Sequence, residues 1–372
     1  MLLIPLIATQ KDISLVGIGG LIALRSLGNL LINIPAGITI DRFGQKHTHA
    51  AGMLIMALAC VAMPMADSFL SLGFTVLVLT MGFGSATLAR HSYIAQSTQT
   101  NKRGRKIASF AGTQRIGMLM GPALAGVLSQ WFSYSAAFIF CIPLLLLTTL
   151  YFVYYFTEPT GKPSSGSLLT HFQNLPRFVL EQKHLFLTAG VFIVVARMVR
   201  SVRQFILPLW GIHIALDPAD IGLIFSVSMA VEIVFLFIGG KVSDTRGRKW
   251  SAIPSLLLTA VGLLLLPLSQ SYYPFAAIAL LLGIGQGLGG GIIMTLGSDL
   301  APKNKVSTFL GTWRLISDLS GTMSPIIIGW IGSVFMLASA SIFGGVAGLA
   351  GCLIAHDWIK ETLLETRDQD TI

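Results

Sequence analysis

The chain has 372 residues, of which 53% are hydrophobic and only 11% are charged, and its formal net charge is +9. Soluble domains carry about 25% charged residues, so this composition excludes a soluble enzyme, a disordered chain and a disulfide-stabilised secreted domain. An excess of Lys and Arg is typical of the cytoplasmic loops of membrane proteins, and we expect no nucleic-acid partner.

Apolar segments long enough to cross a bilayer follow one another along the chain. The first nine residues, MLLIPLIAT, form a stub that is too short to cross it. After this stub we predict eleven full membrane helices, over residues 14–40, 47–66, 70–96, 107–130, 135–157, 184–212, 218–240, 251–268, 274–299, 307–331 and 336–356. The sequence therefore predicts an all-α polytopic membrane protein.

The basic loop residues predict the orientation in the membrane. If the loop after the first of these helices is cytoplasmic, seventeen Lys and Arg lie in inner loops and the tail, whereas only Lys11 lies in an outer loop. Such a bias sets the cytoplasmic side, and we expect a bacterial inner membrane. The segments predicted to be cytoplasmic are the C-terminus and the loops 41–46, 97–106, 158–183, 241–250 and 300–306.

An internal repeat divides the chain into two parallel halves. The segment GITIDRFGQK at 37–46 resembles GKVSDTRGRK at 240–249, which lies 203 residues later. Repeats of this kind are common in transporters. The predicted domains are an N-terminal half-bundle at 1–157, a cytoplasmic linker loop at 158–183, a C-terminal six-helix half-bundle at 184–356 and a cytoplasmic tail at 357–372.

The repeat also indicates that the first helix is largely missing from the N-terminal half. In this alignment Met1 corresponds to Gln204, which lies deep inside the predicted helix 184–212. We therefore expect that the sequence begins partway through its first helix. A gene model that starts too far downstream and a genuine eleven-helix protein are both consistent with this pattern.

The pattern Gly-x-x-x-Asp-x-x-Gly-x-Lys occurs at the inner ends of the predicted helices 14–40 and 218–240. Each of these is the second helix of its half when the largely missing first helix is counted. Two copies in register resemble the signature of the major facilitator superfamily, and the chain resembles its proton-linked transporters of drugs and organic solutes. The resemblance implies the fold of that superfamily and a gating-loop motif. In that motif glycines allow close helix approach and a tight turn, aspartates accept hydrogen bonds, and basic residues lie at the lipid headgroups. The motif residues are Gly37, Asp41, Arg42, Gly44, Lys46, Gly240, Asp244, Arg246, Gly247, Arg248 and Lys249.

Three departures or additions bear on what the resemblance implies. Gln45 stands where the family usually has Arg, so we expect the first loop motif to be the weaker one. Val78 stands four residues before a Gly-x-Gly, where the family often has an Arg linked to proton coupling, which argues against simple proton antiport. The predicted helix 107–130 carries Gly117, Gly121, Pro122 and Gly126. These residues resemble the helix-packing motif of antiporters in the family, and this resemblance favours export.

Charged side chains inside membrane helices are costly and mark functional sites. Arg197, Arg200 and Arg203 form a stripe on one helix. Guanidinium groups bind carboxylate and phosphate, so these three arginines are candidate substrate-binding residues. The alternatives are that one or two of them pair with Glu232 or with backbone carbonyls, or that Arg203 extends outward toward the membrane surface.

The remaining intramembrane charges are candidates for proton coupling or for contact between the halves. They are Arg25, Arg115, Glu232, Arg314 and Asp318. Their depths, estimated from about 1.5 Å of rise per residue, combined with the family's helix arrangement, favour the pairs Arg25–Asp318 and Arg115–Glu232 across the two halves. Static pairing, for example of Arg314 with Asp318, is the alternative.

Together these features predict a secondary active transporter that moves a small organic solute by alternating access, as a proton-coupled efflux antiporter. Uptake or facilitated transport of an organic anion is the alternative, and a transport-inactive membrane scaffold or receptor is a second one. We expect no enzymatic activity, no cofactor and no metal. The expected partners are the solute, protons and the lipid bilayer, and the expected functional unit is a monomer.

Overall fold

In the computed structural model the described residues are 3–97, 100–155, 182–302 and 306–358. Within these ranges the chain forms helices joined by short turns, and no strand is present. The predicted all-α fold is therefore confirmed. The chain separates into two compact units, Met1–Leu168 and Leu169–Ile372. Most of the linker 158–183 and of the tail 357–372 lies outside the described residues, so the predicted domain boundaries stay a prediction.

In its described residues the first unit contains five α-helices, α1 (Leu3–Gln10), α2 (Leu15–Ala62), α3 (Phe69–Ser97), α4 (Thr100–Trp131) and α5 (Tyr134–Tyr155). Of these, α2 packs against both α3 and α5. Gly44 interrupts α2 with φ 82° and ψ 170°. Glycine adopts this left-handed conformation without the steric penalty of a side chain. The predicted helices 14–40 and 47–66 therefore correspond to the two arms of α2 on either side of Gly44.

Over residues 182–302 and 306–358 the second unit forms seven α-helices, α6 (Lys183–His213), α7 (Pro218–Thr245), α8 (Lys249–Leu265), α9 (Tyr272–Leu288), α10 (Ile292–Leu300), α11 (Val306–Val334) and α12 (Leu337–Trp358). Here α7 packs against α9, α8 packs against α9 and α12, and α6 packs against α11 and α12. The predicted single helix 274–299 differs from the structure, because the glycines at 289–291 separate α9 from α10.

Glycines bring α9 into backbone contact with α7. A Cβ placed on Gly283 would lie 2.5 Å from the carbonyl oxygen of Ser228, and one on Gly287 would lie 2.5 Å from the carbonyl oxygen of Glu232. Small residues at helix interfaces allow such approach in membrane proteins. This contact fixes the part of α7 that carries Glu232 against α9.

Ten segments of the described chain are long and apolar enough to cross a membrane. The sequence predicted eleven, and the difference is α4, Thr100–Trp131. This helix is long enough to span, but it is less apolar than the others because it includes Arg115 and several other polar residues.

The predicted repeat is visible in the backbone. Asp12 and Ala215, which are 203 residues apart, both have positive φ, at 54° and 56°. Gly44 and Gly247, which are also 203 residues apart, have φ values of 82° and 117°. Short 3-10 helices recur at the same spacing, at Met63–Met65 and Leu266–Leu268. Both units therefore place the same turns at equivalent positions of the chain.

Candidate functional site

A buried ion-pair cluster lies inside the second unit, between α6 and α7. Glu232 accepts a hydrogen bond from Arg203 Nη1 at 2.6 Å through Oε2 and one from Arg200 Nη2 at 3.1 Å through Oε1. The Arg203 side chain is only 2% exposed. Arg200 and Arg203 lie three residues apart on α6, so both project from one face of that helix toward Glu232. The pairing with Glu232 that was the alternative at the sequence level is therefore present.

Neutral side chains from α7 and α9 complete this cluster. Arg200 Nε donates to Gln286 Oε1 at 2.6 Å. Arg203 Nη2 donates to Ser228 Oγ at 2.7 Å, and Ser228 in turn donates to the carbonyl oxygen of Ala279. Sequence reasoning missed both Gln286 and Ser228. Two features of the sequence could have indicated them. Gln286 is a lone amide in a glycine-rich apolar helix, and Ser228 precedes Glu232 by one helical turn.

Arg197, the third residue of the stripe, has a different environment. Its Nε is enclosed and has no hydrogen-bond partner among the described residues. The guanidinium lies against α11, since a Cβ on Gly321 would be 2.9 Å from Arg197 Nε. Asp318 precedes Gly321 by three residues, and its Oδ2 lies 3.7 Å from Arg314 Nε. The structure therefore shows the i,i+4 pairing of Arg314 with Asp318.

A small cleft of about 40 Å³ opens beside the cluster within the second unit. Arg200 and Gln286 are its most polar lining residues, while Phe192, Leu256 and Ile293 contribute apolar surface. This volume is enough for ordered water but not for an organic solute.

The second loop motif forms a connected ion-pair network. Arg248 donates from Nε to Asp299 Oδ2 at 2.7 Å and from Nη1 to Asp244 Oδ1 at 2.8 Å. Nη1 also donates to Ser243 Oγ at 3.0 Å. The hydrogen bond to Asp299 is the main reason that the pKa of Arg248 is raised above its ordinary value, so this group stays charged. The network holds the start of α8 to the ends of α7 and α10.

The other residues of this motif lie around the network. Lys249 Nζ donates to the carbonyl oxygen of His356 at the end of α12. Gly247 supplies the left-handed turn before α8. Arg246 is exposed.

The first loop motif lacks this network. Gln45 occupies the position equivalent to Arg248, and its Nε2 donates to Ser92 Oγ at 3.5 Å. Asp41, the equivalent of Asp244, is exposed, as is Arg42, whereas Lys46 is half-buried. No ion pair joins Asp41 to another described residue, because an amide at position 45 carries no charge to offer it. The geometry agrees with the expectation that the first motif is the weaker one.

We predict that Arg248→Ala destabilises the protein by about 1–3 kcal/mol, because two carboxylates lose a charged hydrogen-bond donor. The measurement is the thermal unfolding midpoint of the purified protein in detergent. The matched control is Arg246→Ala, since Arg246 is exposed two residues away. Equal midpoints for the two variants would show that the network contributes no stability.

Several glycines expected at close helix contacts have open surroundings. A Cβ on Gly37, Gly240, Gly117 or Gly121 would meet no atom within 4 Å among the described residues. Within the part of the chain that the structure describes, these four glycines therefore make no close contact, and their role in helix packing stays a prediction. Close approach occurs instead at Gly239, where a Cβ would collide with the carbonyl oxygen of Leu288. On α4, Pro122 is half-buried and Gly126 is buried.

The remaining predicted charges lie in the first unit. Arg25 is half-buried on α2, and its carbonyl oxygen accepts a hydrogen bond from Asn29 Nδ2 at 3.3 Å. Arg115 is half-buried on α4. The pairs Arg25–Asp318 and Arg115–Glu232 would join the two units, and they stay predictions.

Comparison with known proteins agrees with the helical repeat. The model of the Major Facilitator Superfamily matches residues 1–196 and again 189–368. A multi-drug resistance efflux pump PmrA homolog of Lactococcus lactis is 24% identical over 86% of this chain and 80% of its own length. The MFS-type transporter SLC18B1 of Rattus norvegicus is 26% identical over 99% of this chain and 84% of its own length.

Other similar proteins are transporters of different solutes, and the solved structures among them share the fold of this chain. The human chromaffin granule amine transporter is 22% identical over 84% of this chain, which spans 58% of that protein. The crystal structure of the nucleoside transporter NupG superimposes with a TM-score of 0.76 at 12% identity, covering 95% of this chain and 92% of that one. The D-xylose-proton symporter superimposes with a TM-score of 0.71 at 15% identity, covering 94% and 88%. The chain therefore belongs to the major facilitator superfamily and is an integral membrane transporter, not an enzyme.

Proposed function

We propose that the protein exports a small organic solute in exchange for protons and that Glu232 carries the coupling proton. The observation that supports this most strongly is the position of Glu232, a carboxylate inside a membrane helix that is held by Arg200 and Arg203. A carboxylate is expensive to place there and is a functional candidate by default. The similarity to a multi-drug efflux pump supports export.

The cluster supplies a physical link between a proton and a movement of helices. While Glu232 is ionised, it attracts both guanidiniums and holds α7 to α6. A proton on Glu232 removes that charge, so the two arginines lose their counter-ion and the packing of α6 on α7 is weakened. Since a ligand shifts a conformational equilibrium by its differential affinity for the two states, proton binding at Glu232 would favour the state in which the pairs are open. Asp318 is the second candidate carboxylate.

We predict that Glu232→Gln abolishes uphill transport but leaves solute exchange intact. Glutamine keeps the size of the side chain and its acceptor oxygen but cannot exchange a proton near neutral pH. The measurement compares the accumulation of ethidium and of benzoate in inverted vesicles energised by a pH gradient with their counterflow in proteoliposomes at equal pH, in each case above the level in vesicles that lack the protein. Asp318→Asn is measured in the same way, and the comparison shows which of the two carboxylates carries the coupling proton. Equal loss of both activities in Glu232→Gln would contradict a coupling role.

Uptake or facilitated transport of an organic anion is the second candidate function. The membrane-embedded parts of α6, α7 and α11 carry an excess of positive charge, with Arg197, Arg200, Arg203 and Arg314 against Glu232 and Asp318. This excess favours an anionic solute. A transport-inactive scaffold or receptor would be supported only if neither ethidium nor an organic anion crosses the membrane.

The strong bias of Lys and Arg supports cytoplasmic positions for the loop motifs and the C-terminus. A bacterial inner membrane and a monomeric functional unit complete the proposal.

A further inference from the structure

We infer that Arg197 is the anchor for the solute and that it binds a carboxylate group, so that the solute class is organic monocarboxylates. The inference rests on the proposed transport function. It gives the three arginines on one face of α6 different roles. Arg200 and Arg203 hold Glu232, whereas Arg197 is available to a ligand.

The hydrogen bonds of the stripe distinguish its members. Arg200 is engaged by Glu232 and by both the side chain and the carbonyl oxygen of Gln286. Arg203 is engaged by Glu232 and Ser228. Arg197 Nε and Arg203 Nε are both enclosed without a hydrogen-bond partner among the described residues. Both terminal nitrogens of Arg203 are engaged by Glu232 and Ser228, whereas those of Arg197 are left for a ligand.

The burial of Arg197 makes this lack of partners costly. Its Nε is enclosed without a partner, and an unpaired buried charge is disfavoured by the loss of its hydration. The residue as a whole is half-buried, and its two terminal nitrogens are not among the enclosed atoms. Those nitrogens are therefore the ones that a ligand would reach. Two parallel N–H donors match the two oxygens of a carboxylate.

The protein does not itself supply a full counter-charge to Arg197. The acid on α11 that attracts Arg197 is Asp318, and its carboxylate is also 3.7 Å from Arg314, so one negative charge is shared between two guanidiniums. An anionic solute would supply the missing negative charge. A cationic solute would add to the excess of positive charge at this place.

Gly321 provides a second and independent observation. A Cβ at this position would lie 2.9 Å from Nε and 3.4 Å from Nη2 of Arg197. The guanidinium therefore lies next to Gly321 of α11, in a position that a side chain at 321 would displace. This gives a way to disturb the site without changing any charge.

The test is the thermal stability of the purified protein with two pairs of probes, benzoate with benzamide and hexanoate with hexanamide. Members of each pair differ in charge and hardly in shape. We expect stabilisation by the carboxylates and none by the amides. Arg197→Gln should weaken carboxylate binding by about 10- to 100-fold, the usual effect of losing a charged hydrogen-bond partner. Inorganic phosphate is the third probe, and stabilisation by phosphate alone would overturn the assignment to carboxylates.

Glycine variants provide the control for folding. Gly321→Ala should weaken benzoate binding in the same direction as Arg197→Gln. Gly311→Ala should leave it unchanged, because a Cβ on Gly311, which lies on the same helix, meets no atom within 4 Å. Equal effects of the carboxylates and their amides, or full benzoate affinity in Arg197→Gln, would overturn the inference.

The binding test is separate from the test of proton coupling. If Arg197→Gln retains benzoate binding while Glu232→Gln still loses only uphill transport, the inference fails and the proposed function stands. If benzoate binding depends on Arg197 but Glu232→Gln pumps normally, the proton-coupling proposal fails and the inference stands.

Discussion

Glu232→Ala is expected to destabilise the protein by about 3–5 kcal/mol, which is the usual cost of removing one partner from a buried ion pair. Arg203 is 2% exposed, and Glu232 is its only acidic partner among the described residues. Alanine would leave this guanidinium buried with only Ser228 as acceptor. The measurement is the midpoint of thermal unfolding in detergent.

The control for this prediction is Asp318→Ala. The Asp318 side chain is 40% exposed and lies 3.7 Å from Arg314, and exposed pairs contribute at most about 1 kcal/mol. A double variant, Arg203→Met with Glu232→Met, should recover much of the lost stability, because a buried pair replaced by apolar residues is often neutral. If Glu232→Ala lowers the unfolding midpoint no more than Asp318→Ala does, then Arg200, Arg203 and Glu232 do not form a buried, interdependent cluster.

Gly239→Ala is expected to destabilise the second unit by about 1–3 kcal/mol, the typical cost of overpacking. A methyl group at this position would collide with the backbone carbonyl of Leu288. Because the obstacle is backbone, α7 and α9 must move apart to relieve the collision. The measurement is again the unfolding midpoint, together with the yield of monodisperse protein.

The adjacent Gly240→Ala is the matched control. A Cβ on Gly240 meets no atom within 4 Å, so the substitution should be neutral, or slightly stabilising because alanine favours the helix. Similar midpoints for the two variants would mean that α7 does not pack on α9 through Gly239.

The turns of the fold are predictable from sequence because they depend on local chemistry. Gly44 and Gly247 adopt positive φ at equivalent positions of the two loop motifs, and glycine is the residue that tolerates this conformation. The stripe on α6 is likewise predictable, since residues three apart share a helix face. The difference between the two motifs is also predictable from one residue, because Gln45 has no charge to pair with Asp41, and a weaker first motif stays a prediction.

The partners of the cluster are not predictable in the same way. Arg200 and Gln286 are 86 residues apart, and no local rule relates their positions. The motif also could not distinguish Gly239 from Gly240. Consecutive helical residues point about 100° apart, so which of the two faces α9 depends on the rotation of α7 in the bundle. Pairing between the two halves depends on their arrangement and stays a prediction.

The most direct measurement of the central claim is proton movement driven by a solute gradient. Purified protein is reconstituted into liposomes that contain a pH-sensitive dye, and ethidium or benzoate is added outside at equal pH. Because benzoic acid also crosses a bilayer unaided, protein-free liposomes set the baseline. We expect that entry of one of these compounds changes the internal pH beyond this baseline with the wild-type protein and that the excess is absent in Glu232→Gln. Solute entry above the baseline without an excess pH change in the wild type, or an excess that persists in Glu232→Gln, would contradict proton coupling at Glu232.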